Sequence, residues 1–170
     1  GDVPRRRKAL LEYRARLRVG LLLQASGRSR EAQGQYNDLL DEGRFRAYEG
    51  RTRILIGRYY RSQGDPAAAL AQYQQVRDGF PQTPAAALAL YETALLHLRE
   101  YGDEQRAHEL LAEVGQVRPG AEASRLAQEM LGYLNQVARL RERVVRADSL
   151  AAAGQAVAAA PAPAAAESEE

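Results

Sequence analysis

Few residues in this chain are suited to chemistry. It has two histidines, His97 and His108, and no cysteine. The missing cysteine excludes a disulfide framework, a thiolate metal site and a cysteine nucleophile. His97 falls late in one expected helix and His108 in the next. A helical hairpin would bring them close, but a metal would need a third ligand from Glu100, Glu104 or Glu109. Solvated or edge-packed histidines are the expectation, and no metal site is predicted. The six serines lie mostly in expected turns or tails, without the strand-to-helix elbow a nucleophile needs. Glycines are spread along the chain instead of gathered in a phosphate-binding loop. No carboxylate pair stands in an apolar context that would raise a pKa. Neither catalysis nor a cofactor is expected.

Charge points instead towards binding. Residues 1–61 hold 15 Lys and Arg against 7 acids, a net +8, whereas 62–170 carry a net −6. A basic first third suits an acidic partner or an acidic docking patch. Arg5, Arg6, Arg7 and Lys8 could also touch a phosphate backbone. Nucleic-acid binding would call for interleaved exposed aromatics or a helix-turn-helix, and neither is evident.

These side chains must be positioned by helices. Ala supplies 32 residues, while Val, Ile and Thr together number 14, which argues against a β-rich fold. The longest bulky apolar run, 19–23, is far short of the roughly 20 residues that cross a bilayer.

The helices follow a repeat. Gly27, Gly64 and Gly102 are spaced 37 and 38 residues apart. Each is followed at a fixed offset by Ala (Ala32, Ala69, Ala107) and then by a bulky residue (Tyr36, Tyr73, Leu111). Gly20, Gly57 and Leu95 precede them at one offset, and Leu23, Tyr60 and Leu98 at another. Pro81 and Pro119 close the second and third units, where the first has Arg44. This register predicts helical hairpins: Gly caps the first helix in a left-handed conformation, and Ala lets the second helix approach beside the small Gly. Tyr or Leu one turn on fills the space between neighbouring hairpins. Asp65-Pro66 and Thr83-Pro84 read as helix starts.

These residues resemble the tetratricopeptide repeat (TPR) family over about 13–138. The spacing looks most like the longer repeats of bacterial cell-envelope proteins, of the Tol–Pal cell-division coordinator and outer-membrane assembly lipoprotein type. Arg16 and Arg53 stand where that family has a large aromatic. The resemblance implies an all-α TPR-like helical-hairpin solenoid that binds other proteins, in the periplasm or cell envelope, with the cytoplasm as the alternative.

The expected organisation is a helical extension over 1–12, three hairpins over 13–121, a capping helix over 122–150, and a disordered Ala/Pro-rich, acidic-ended tail over 151–170. The tail has almost no bulky apolar side chain with which to fold.

With the register set, first helices would line an inner wall. Its candidates are Arg14, Leu17, Arg18 and Leu21, then Arg51, Ile54, Leu55, Arg58 and Arg61, then Leu96 and Arg99. Glu92 and Thr93 are expected beside them, with Glu129, Met130 and Tyr133 on the last helix. Arg58 and Arg61 are expected to stand clear of the hairpin core. Such a wall suits an acidic or amphipathic peptide or helix of another protein. Otherwise the faces are solvated and the apolar stripe is covered by a neighbouring helix. The role of those family members that clamp a C-terminal carboxylate is not expected, because the matching positions are Leu17, Leu21, Leu55, Ala89 and Thr93, of which only Thr93 can donate. The reading is a non-enzymatic scaffold. The alternatives are a permanent subunit of a large assembly or a nucleic-acid-associated protein acting through the basic start.

Overall fold

A computed structural model describes residues 2–158. Among them follow seven α-helices: α1 (Asp2–Ala25), α2 (Ser29–Asp41), α3 (Glu49–Ser62), α4 (Pro66–Gly79), α5 (Pro84–Arg99), α6 (Glu104–Val117) and α7 (Glu122–Ala158). A 3₁₀ turn, Gly43–Tyr48, precedes α3. The chain divides into two units, Gly1–Leu131 and Gly132–Glu170.

The turn glycines do what their spacing predicts. Gly27, Gly64 and Gly102 have φ of 78°, 77° and 64°, the left-handed region where a side chain is strained. At the first two, paired backbone bonds close the helix end: Arg28 N–H to Leu23 O and Gly27 N–H to Gln24 O, then Asp65 N–H to Tyr60 O and Gly64 N–H to Arg61 O. The third turn is one residue wider, with Asp103 N–H reaching His97 O. α2 starts without a side-chain cap, whereas α4, α5 and α6 each have one. Asp65 accepts from Ala68 N–H at 2.9 Å, Thr83 from Ala86 N–H at 3.2 Å, and Asp103 from Arg106 N–H at 2.9 Å.

Ala32, Ala69 and Ala107 are fully buried, as a close approach of the second helices requires. A Cβ on Gly20 would lie 2.5 Å from Tyr36 Cε1, and one on Gly57 2.4 Å from Tyr73 Cε1. The tyrosine ring therefore lies on the glycine of its own hairpin. The third hairpin solves the same volume problem with Leu95 and Leu111, both buried.

Two clusters hold the hairpins together. Tyr13, Leu17, Tyr36, Leu39, Phe45 and Ile56 form the first, and Ile54, Tyr73, Val76, Ala89 and Leu96 the heart of the second. Ile54 and Ile56 point to opposite flanks of α3, so that helix is buried on two sides.

The first hairpin lacks the closing proline and is followed by the 3₁₀ turn instead. Phe45 on that turn is buried, with the Arg44 guanidinium 4.6 Å and that of Arg16 5.7 Å from its ring centre. Arg16 also pairs with Glu42. Phe45 thus supplies an aromatic beside Arg16, where the family pattern has a large aromatic ring. Tyr48 stacks on Tyr13 at 4.4 Å, and the Tyr13 and Thr52 hydroxyls share a hydrogen bond of 3.1 Å.

At the other end, α7 continues to Ala158, past the 122–150 span read from the sequence. The added residues are largely alanine, whose helical propensity needs no packing support. The rest of the expected tail, 159–170, lies outside the described residues. No helix among the described residues is long and apolar enough to cross a membrane.

Candidate interaction groove

A groove of about 530 Å³ opens within the first unit, between three helices that each begin a hairpin or the cap. Arg51, Leu55 and Arg58 of α3 form one wall, with Ile54 at its base. Pro84, Ala85 and Leu88 of α5 form the floor. Ala121 and then Glu122, Ala123 and Leu126 of α7 form the other wall. The chain reaches this arrangement because Thr83 and Pro84 start α5 directly behind the turn at Gln82, whose φ of 60° reverses the backbone.

The structure sorts the expected wall residues. Four of them, Arg51, Ile54, Leu55 and Arg58, meet in the groove. Arg14, Arg18 and Leu21 are exposed on α1, and Arg99 is exposed on α5. Leu17 and Leu96 are corrected: at 6% and 0% exposure they are core, packed between neighbouring helices, and Ile54 at 2% is core that reaches only the groove's base. A helical face assigned by period alone takes in residues at its edges, and a neighbouring helix covers those.

Arg58 and Arg61 are corrected as well. Glu92 on α5 is buried, and both arginines converge on it. Arg58 Nε donates to Glu92 Oε1 at 2.7 Å and Arg61 Nη1 to Oε2 at 3.1 Å. Reversing both charges would leave a buried carboxylate beside two more, so these arginines support the fold. Arg58 keeps a partly exposed edge towards the groove. Among the described residues, Arg14, Arg18, Arg51 and Arg99 have no ion-pair partner, and Arg51 is the one of these that lines the groove.

The phenol of Tyr73 lies beside this network. Burial first, and then the nearby Glu92 carboxylate, push it well above its ordinary value. Its buried hydroxyl has no hydrogen-bond partner among the described residues. Thr93 is buried too, and its hydroxyl donates to Ala89 O at 2.8 Å.

Ala85, Leu88 and Leu126, which complete the apolar lining, are not among the residues the sequence pattern points to. They belong to helices whose spacing across the gap is set by packing. Their only signal was the early start of α5 at Thr83-Pro84. Elsewhere His97 Nδ1 lies 3.9 Å from Asp103 Oδ2. No group of three or more His, Asp and Glu is gathered for a metal among the described residues.

Stacked helical hairpins with a groove lined by their first helices define the class: an all-α, TPR-like solenoid. No family model matches the chain, and no curated protein matches its sequence. Among solved structures, it is similar to the type III secretion chaperone SycD of Yersinia enterocolitica, solved in complex with a peptide of the translocator YopD. The TM-score is 0.57 at 13% identity, over 76% of this chain and 93% of that one. At that identity the shared property is the fold.

Proposed function

We propose that the chain is a non-enzymatic adaptor that holds an acidic, amphipathic segment of another protein in the groove between α3, α5 and the start of α7. The observation that carries this reading is the groove itself: an apolar lining of Leu55, Ala85, Leu88 and Leu126 with the unpaired cation Arg51 beside it. Apolar side chains of a partner would displace water from the floor, while a carboxylate meets Arg51. Arg14 and Arg18, exposed on α1, add to the attraction of an acidic partner. The fold likeness to SycD, whose structure holds a peptide of another protein, supports the same reading. A cell-envelope setting is proposed on the repeat resemblance, and fractionation of the native cells checks it.

The test is a selection of displayed short peptides on the full chain, with Leu88→Arg, which fills the groove, as counter-selection. Enriched peptides are expected to combine Asp or Glu with Leu or Phe. Arg51→Glu should weaken their binding by about 1–2 kcal/mol in calorimetry. The loss should shrink at ~1 M salt, where screening acts within about 3 Å. Neither residue is among the buried core, so melting temperature serves as the folding control. Affinities unchanged by both substitutions would remove the groove from the function.

A further inference from the structure

The second unit carries a pattern that the groove does not use. Along α7, Tyr133, Val137, Leu140, Val144, Ala147 and Ala151 recur at alternating steps of four and three residues. A repeat averaging 3.5 residues keeps one stripe facing a partner helix as two helices supercoil. Three of the four large members are open to solvent, Tyr133 at 62%, Leu140 at 49% and Val144 at 59%, and Val137 is half-buried. An apolar stripe of this kind on a charged helix is unlike scattered surface residues, which need no partner.

We infer that residues 133–151 pair with the same segment of a second copy of this chain, as a parallel, in-register coiled coil. Charge selects that occupant. With Val137, Val144 and Ala151 at the first core position of each heptad, Arg143 flanks the stripe on one side and Asp148 on the other, five residues on. Those are the two positions that meet across a parallel dimer, so Arg143 of each copy faces Asp148 of the other, twice by symmetry. Within its own helix neither has an opposite charge three or four residues away. Antiparallel pairing that overlays Leu140 on Val144 would set Arg143 against Arg143. Valine at two of the three first core positions, with leucine at the second core position between them, further favours two strands. The two alanines narrow the far end of the seam, so the dimer is concentration-dependent.

The experiment is sedimentation equilibrium of the full chain across micromolar concentrations, with melting temperature as the folding control. A monomer–dimer equilibrium is expected, and Val144→Asp should return the chain to monomer. Asp148→Arg should weaken dimerisation about tenfold, since two attractive pairs become repulsive. Adding Arg143→Asp to that variant should restore it. Because the chain has no cysteine, Leu140→Cys reports register directly. On oxidation it should form a disulfide-linked dimer, while Glu142→Cys, on the outer side of the helix, should not. A monomer at every concentration, a dimer indifferent to Val144→Asp, or equal crosslinking at the two positions would overturn the inference. The groove variants Arg51→Glu and Leu88→Arg should dimerise normally, so the two readings fail separately.

Discussion

Two tyrosines at equivalent repeat positions differ in one hydrogen bond. Tyr36 Oη donates to Gln24 Oε1 at 3.0 Å, whereas the buried Tyr73 hydroxyl has no partner among the described residues. Tyr36→Phe should therefore cost about 1 kcal/mol, and Tyr73→Phe should be neutral or stabilising. Chemical denaturation of the two variants checks the contrast. The same residues set the alkaline limit. Burial raises the phenols of Tyr13, Tyr36 and Tyr73 above their ordinary value of 10.0. Above about pH 10 the unfolded chain binds fewer protons than the folded one, so stability falls as pH rises towards the folded values. It is undiminished by these groups below that pH. Denaturant melts followed by circular dichroism should show stability beginning to fall there, with a shallower slope for Tyr73→Phe.

At the scale of the element, glycines in helices have opposite roles that composition does not separate. Gly57 leaves room for the Tyr73 ring, and a methyl group would meet Cε1 at 2.4 Å. Gly34, on the exposed face of α2, has nothing within 4 Å of an added methyl. Gly57→Ala should cost about 1–3 kcal/mol through overpacking. Gly34→Ala should stabilise by about 0.5–1 kcal/mol, because it only restores helical propensity. Thermal melts that rank the two the other way would remove the tyrosine-on-glycine contact as the organising feature of the hairpin. The repeated offsets made both glycine sets legible in the sequence. The 3₁₀ turn was not legible, because Phe45 and Arg16 meet only once the first hairpin has packed.

Across the first unit, stability depends on stacking. The second cluster joins Ile54, Tyr73 and Val76 of the second hairpin to Ala89 and Leu96 of the third. A chain ended at residue 79 would expose that side of the second hairpin, since a repeat buries its apolar face only against its neighbours. Its melting temperature should fall by about 10 °C or more, at roughly 1 kcal/mol for each few degrees in a chain of this size. An unchanged melt would mean that the hairpins fold independently. The sequence by itself determined the helices, their turns and the order of the hairpins, because capping, left-handed glycines and the spacing of apolar residues act within about one helical turn or at one repeat length. Tertiary structure alone decided which residues of the inner wall are open. It buried Leu17, Ile54 and Leu96, and it tied Arg58 and Arg61 to Glu92, which lies 34 and 31 residues away. Helical periodicity states which side chains share a face, whereas the element that comes to cover that face is set by packing between distant parts of the chain.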